Sequence, residues 1–342
     1  MAIDCSADPI GSLKQMFVDK TMGPRILAGQ QPVRRAVFLR PHGVAYGTFT
    51  VNPDLPDTLK IGVFSYPSFA CWVRFSSDTL PLLPDQGTTL GLSIKLIDVP
   101  GRKLLPGEED ATTQDFTLQF IDRFFVPNAT EMCAFTQAGV VGHNYDTYLN
   151  SHPVTQAILN EMDKSFPDVL ATPYWSCLPY AFGEGEYVKY KVTASVADQP
   201  GDVPTNNPNY LHDRLRGRLL EQPVTLTFSV QFRRNPATMP LDDATVAWSE
   251  QESPPVPVAT ITLPVQDIDA PGQAAFGENL AFNSWHALPE HAPVGSLNEV
   301  RKVVYQASAE LRRYLNGVPV GEPTVNRPPH PPSNVIPQPA SK

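Results

Sequence analysis

The chain of 342 residues has no apolar run near the ~20 residues that a membrane span needs, so no span is expected. Charge is sparse: 18% of residues carry it, and 26 basic against 35 acidic side chains leave a net of −9. That balance argues against the basic footprint of a nucleic-acid surface unless a patch is concealed, and no nucleic-acid partner is expected. The opening MAIDCSADPIGSLKQMF lacks a basic-then-apolar leader, so a cytoplasmic protein is the expectation. Cysteine is scarce as well. Cys5, Cys71, Cys133 and Cys177 lie too far apart for a C-x-x-C metal spacing, which predicts four reduced thiols. Proline is the one residue in excess: 37 in the chain, one in about nine, rule out a long helical bundle or coiled coil, because interior proline removes a helix hydrogen bond. Together with 21 glycines this is about 17% of the chain, below the level at which composition argues disorder.

What remains reads as strands. A strand is expected from Arg35 to Val51, then over 71–77, 88–99, 115–120, 186–195 and 258–265. The clearest alternation is Val224, Leu226, Phe228, Val230 and Phe232. A short helix is expected near 13–20, and helical text runs through 129–170, broken near His152-Pro153. Strands without regularly interposed helices predict an α+β protein with an antiparallel β-barrel and flanking helices. One further helix starts at Ser296-Leu-Asn-Glu299, a capping-box pattern, and ends at Gly317. Beyond it, 318–342 holds eight prolines in 25 residues and predicts an extended tail after a domain of residues 1–317.

The terminal helix carries two stripes. Leu297, Val300, Val304, Leu311 and Leu315 are apolar, while Arg301, Tyr305, Ser308 and Arg312 share another direction at i, i+4, i+7 and i+11. Positive charge beside a phenol favours the phenolate, which is a hard ligand for ferric iron.

RKVVYQASAELRR (301–313) resembles the proximal helix of haem catalases, in which R-x-x-x-Y supplies the axial tyrosine and a later arginine assists. WVRFSS (72–77) is similar to the segment whose arginine binds a haem propionate, which would be Arg74, with Ser76 on the distal side. LGLSIKL (90–96) resembles the strand after it, with Leu90 in place of an arginine. PYWSCLPYAFGEGEYVKY (173–190), FNSWHALPEHAPVGSLNEVRKVVY (282–305) and TQDFTLQFIDRFFVPNA (113–129) are similar to the smaller, catalase-related branch. The resemblance implies a barrel enclosing haem b (Fe3+), with Tyr305 on the iron, Arg301 and Arg312 beside the phenolate, and Arg35, Arg74 and Arg312 toward the propionates.

The distal side departs from the family. Aligned from Arg35, the place of the catalytic histidine falls on Phe38; aligned from Gly47, it falls on Leu39. The place of the distal asparagine falls on Gln119 or Phe120, counted back from Phe124-Phe125. His42 is the nearest histidine, about 13 Å along an extended strand from Phe38. Splitting peroxide needs a proton moved from one oxygen to the other, work that a positioned acid-base makes ~10²–10⁴-fold faster and that phenylalanine cannot do. The resemblance, with Phe38, His42, Gln119 and Phe120 as the distal candidates, therefore implies an oxidoreductase acting on a small organic substrate, such as an organic hydroperoxide, with weak or no peroxide dismutation. A haem-binding sensor without turnover is the alternative. Either admits a homo-oligomer. The remaining histidines, His143, His152, His212, His286, His291 and His330, are expected to be structural, and Glu108, Glu109 and Asp110 a solvated loop.

Overall fold

The computed structural model describes residues 3–196, 201–319, 321–323 and 327. Among these residues nine antiparallel strands form one sheet: β1 (Arg40–Val51), β2 (Ser68–Ser77), β3 (Leu90–Ile97), β4 (Thr113–Gln119), β5 (Tyr174–Trp175), β6 (Tyr180–Ala181), β7 (Tyr187–Ala194), β8 (Val224–Phe232) and β9 (Val256–Leu263). Their order is β5-β4-β3-β2-β1-β9-β8-β7-β6, and a β5–β7 pairing, Tyr174 opposite Val192, closes eight of them into a barrel. Only the two-residue β6 stands outside that ring, paired to β7.

The pleat sends alternate side chains to opposite faces. Inward go Val224, Leu226, Phe228 and Val230 of β8, Val188, Tyr190 and Val192 of β7, Cys71, Val73 and Phe75 of β2, and Leu90, Leu92, Ile94 and Leu96 of β3, all in one buried core. Aromatic rings fill the middle: Phe116 meets Phe228 at 4.9 Å and Tyr190 at 5.0 Å, both edge-on, an arrangement favoured by the ring quadrupoles. Among the described residues these side chains pack the barrel interior. The barrel with flanking helices is as expected, and a slit opens on the outer face of β2, β3 and β4.

Helix α8 (Ser296–Leu315) covers that outer face. Its Val300 and Val304 pack with Leu13 and Met16 of the N-terminal helical arm, which begins with α1 (Pro9–Gln15), and with Ala129 and Cys133 of α3 (Ala129–Thr136). The helix continues to Leu315 and stops where Gly317 takes φ +66, the left-handed conformation that a C-terminal glycine permits. Its apolar stripe fades at the end, where Leu315 is exposed.

Several expectations are corrected. The first strand begins at Arg40, not Arg35: residues 35–39 are irregular, and Phe38 has φ +52. The capping box is not formed. Gly295 is the N-cap of α8, and the Ser296 hydroxyl donates to Asp242 and accepts from the Ala129 N–H, tying the starts of α8 and α3 together. Between these lie α4 (Asp146–Leu149) and α5 (Pro153–Met162), which starts at the expected break. Helices α6 (Tyr210–Glu221) and α7 (Gln273–Asn279) are additions to the reading above, and α6 carries His212. The α2 turn (Gly23–Leu27) completes the N-terminal arm. Cys5 and Cys133 form a disulfide, so two thiols rather than four are free, Cys71 and Cys177, both buried. Among the described residues no helix is long and apolar enough to cross a membrane.

Candidate functional site

Between the outer face of β2–β4 and α8 runs a slit. Arg35, Val37 and Phe38 line it from the irregular segment, Arg74 and Ser76 from β2, Gly91 and Ser93 from β3, Thr117 and Gln119 from β4, and Arg301, Tyr305, Ser308 and Arg312 from α8. Sequence positions more than 250 apart thus meet at one place. The slit encloses about 760 Å3 of unfilled space including its open edge, yet only about 90 Å3 in which a water-sized sphere has room.

The irregular segment is clamped against the slit. The Ala36 N–H donates to Ser308 Oγ at 3.2 Å, and Arg74 donates to the Phe38 carbonyl at 3.0 Å. Arg35 donates to the carbonyls of Glu278 and Leu280, and Arg312 donates to the same two. These bonds hold Phe38 in a backbone conformation that bulky side chains rarely adopt. Its ring rests on Gly91, where an added Cβ would come within 2.6 Å of two ring carbons. Glycine at 91 is therefore required by the close approach of an aromatic ring.

Charge in the slit is unbalanced. Arg35, Arg74, Arg301 and Arg312 line it, and the first two and Arg312 face one carboxylate, Glu278, so positive charge is in excess. Burial raises the Glu278 carboxyl, but Arg35, Arg74 and Arg312 outweigh it and hold the group below its ordinary range. Burial pulls the Arg312 guanidinium down to about 9, helped by repulsion from Arg35. Arg74 is lowered for the same two reasons. Burial also opposes the charge on Arg301, but Tyr305, Tyr180 and Cys177 raise it above its ordinary value. Nη1 of Arg35, Nη1 of Arg301 and Nε of Arg312 are buried and have no hydrogen-bond acceptor among the described residues. A group bearing two carboxylates matches this slit in charge and free donors. Haem is such a group, and the residues fit it.

The distal candidates separate. Phe38 and Gln119 line the slit; Phe120 does not, because its ring packs against Phe166 at 4.8 Å. Leu39 is buried elsewhere. His42 lines neither the slit nor the cavity beside it. It shares a hydrogen bond of 3.1 Å with Ser77 Oγ, and its Nδ1 lies 3.8 Å from Asp85, whose carboxylate pairs with Arg40. Burial, with Arg40 and Arg74 nearby, drops His42 to about 3, so it stays neutral. Its place in the catalytic set is withdrawn. Ser76 lines the slit with its hydroxyl toward the Gly91 carbonyl.

Solved structures carry the comparison, for neither a family model nor a curated protein matches the sequence. A bacterial catalase superposes with a TM-score of 0.65 and 15% identity, covering 90% of this chain and 64% of its own. A fungal catalase gives 0.63 and 17%, over 92% and 67%. Catalase A from Saccharomyces cerevisiae gives 0.65 and 18%, over 87% and 64%. The chain has a catalase-like fold. It spans about two thirds of the length of the catalases it matches.

A second cavity opens beside the slit of this catalase-like chain, sharing Val37, Phe38, Gln119, Arg301, Val304 and Tyr305 with it. Its volume is about 460 Å3, within the roughly 300–1,000 Å3 of ligand pockets. Away from the shared wall it is mainly apolar.

A different polar cluster, unread in the sequence, sits under the C-terminal segment. Lys95 pairs with Asp115 at 2.6 Å and with Glu322, and Arg313 reaches Glu322. His286 bridges Asp115 at 3.0 Å and Glu108 at 2.8 Å. Burial opposes its charge, but those two carboxylates raise it to about 9. Glu108, His286 and Glu322 bring their ligand atoms within 4.8 Å of one another, yet all are engaged in ion pairs and a protonated ring offers no lone pair to a metal. His286 is structural, as expected, while Glu108 is not simply solvated. Glu322 corrects the reading of the tail: its side chain is buried and joins this network. Arg327 donates to the Pro271 carbonyl. Residues 320, 324–326 and 328–342 of the expected tail, His330 among them, lie outside the described residues.

Proposed function

We propose that the slit binds ferric haem b through Tyr305 and that the chain is a haem oxidoreductase acting on an organic substrate, such as an organic hydroperoxide, with little peroxide dismutation. The observation that carries this is the slit lined by four arginines, three of whose buried guanidinium nitrogens have no acceptor among the described residues. Haem supplies a redox-active iron when bound. The chain's own residues do the rest. Arg301, one helical turn before Tyr305, lines the slit with it and would set a cation beside the ligating side chain. Arg35, Arg74 and Arg312 would receive the two carboxylates, and their buried donors give charge-assisted bonds that fix the group's orientation. Phe38 excludes water from the distal wall, while Gln119 accepts or donates a hydrogen bond without carrying a proton between oxygens.

Absorption spectra during titration with haemin test this. Wild type is expected to develop a Soret band, with a changed band in Tyr305→Phe. No band in wild type overturns the haem reading, and an unchanged band in the variant removes Tyr305 as ligand. A panel of organic hydroperoxides and small phenols then tests turnover. The absence of an acid-base side chain on the distal wall favours one second reading, a ligand sensor, which predicts spectral shifts with those compounds and no product.

A further inference from the structure

We propose that the second cavity binds an apolar organic ligand whose outer end is uncharged or carries an amine, and that it rejects the corresponding carboxylate. As a statement about substrate this rests on the haem reading of the slit; as a statement about binding it stands on the cavity itself.

The cavity wall is built from Phe124, Phe125, Met132, Phe135, Met162 and Leu297. Such a wall rewards apolar surface removed from water and offers adaptable contacts through methionine. Its inner end is the wall shared with the slit, where Phe38, Gln119 and Tyr305 meet. A ligand seated here therefore presents one end to the site of chemistry and the other to the rim.

That rim is acidic. Asp78, Gly87, Thr88, Thr89 and Asp163 line it, and Asp78 and Asp163 are exposed there. The two carboxylates flank one short stretch. Asp78 accepts from Thr88 Oγ1 and the Thr89 N–H, each at 2.9 Å, while a Cβ on Gly87 would lie 2.6 Å from Asp163 Oδ1. Among the described residues the one basic side chain lining the cavity is Arg301, at the inner end. Lys164, next to Asp163 in sequence, turns its ammonium over the Phe166 ring at 5.2 Å instead. A ligand carboxylate at the rim would meet two like charges and no cation, whereas an ammonium finds two acceptors and a hydroxyl is tolerated. Exposed charge pairs contribute little individually, so the preference is modest: about tenfold between amine and carboxylate.

Calorimetry on the full chain, with and without haemin, decides it, using phenylhexylamine, phenylhexanol and phenylhexanoate as probes. The amine and the alcohol are expected to bind, the amine about tenfold tighter than the acid. The double variant Asp78→Asn/Asp163→Asn should bring amine and acid to near equality and leave the alcohol unchanged. Met132→Phe, which fills the cavity, should weaken all three probes, and Phe135→Trp repeats that test from another wall. Equal or tighter binding of the acid by wild type overturns the proposal, as does an amine preference that survives the double variant. A chain that takes up haemin but no probe overturns it too and leaves the slit reading standing. A chain that ranks the probes as expected but takes up no haemin supports the cavity and overturns the slit reading.

Discussion

The slit and the cavity share a wall yet follow opposite rules. In the slit, three of the four guanidiniums are held from behind: Arg35 and Arg312 by the Glu278 and Leu280 carbonyls, Arg74 by the Phe38 carbonyl. Charge there is in excess and its direction is fixed. The cavity has several times the room for a rolling sphere and is walled by phenylalanine and methionine, with charge confined to its rim and to Arg301. The first arrangement suits one anionic group and little else. The second ranks ligands by shape and by the charge at their far end. Phe38 stands at the boundary and belongs to both.

The largest effect is expected from converting that boundary. Phe38→His, loaded with haemin, should raise oxygen evolution from hydrogen peroxide by ~10²-fold or more, because it adds the missing acid-base on the distal wall. The backbone favours the change: histidine occupies positive φ more readily than phenylalanine does. Oxygen evolution no faster than wild type would break the account of the distal side. Next comes the slit itself. Arg312→Leu should weaken haemin binding about 10–100-fold, the value of one or two bonds to a charged group, while Phe135→Ala in the cavity should change it by less than about threefold. Equal losses from both variants would erase the distinction between the two regions. A smaller effect probes their seam. Gly91→Ala forces the Phe38 ring to move and should destabilise the fold by about 1–3 kcal/mol in denaturant melts. Phe38→Ala should remove most of that penalty in a double-mutant cycle, and additive losses would show that the clash lies elsewhere.

How much of this was legible in the sequence varied with the range of the interaction. The α8 stripe was readable because Arg301, Tyr305, Ser308 and Arg312 repeat with the helical period, and the slit uses all four. Strand β8 was readable to the residue, since Val224 to Phe232 alternate without interruption. The fold was legible as a resemblance, and the structural match agrees with it. Phe38 was placed in a strand because nothing local announces φ +52; the clamps that hold it come from Ser308 and Arg74, far along the chain. The choice between Gln119 and Phe120 needed the pleat, which sends one to the slit and the other to the core. Helix α6 did carry a signal, Leu211, Leu215 and Leu219 at four-residue spacing, within otherwise polar text. Glu278 and Glu322 had none. A carboxylate in a proline-rich stretch looks solvated until its buried partners, Lys95 and Arg313, are seen. Cys5 and Cys133 are 128 residues apart, and spacing says nothing about such a pair.

The mildest prediction contrasts the slit with the cluster under the C-terminal segment. In the slit, positive charge is surplus and waits for a ligand. Around His286 it is matched by Asp115 and Glu108 within the protein, so its effect belongs to folding and not to binding. The imidazolium is held to about 9, above the 6.5 of an unfolded histidine. A group whose folded value is raised contributes fully below 6.5 and loses its contribution as pH climbs through 9. Stability should therefore fall by about 1.4 kcal/mol per pH unit in the middle of that window, when denaturant midpoints are followed from pH 6 to 9.5. His286→Gln should flatten the slope and lower stability at pH 6, because Asp115 and Glu108 lose a cation they still require when buried. Haemin affinity should keep the same pH dependence in that variant as in wild type. If the slope persists without His286, the charge that stabilises this corner lies on another group; if haemin binding follows it, the two clusters are coupled and the contrast between them fails.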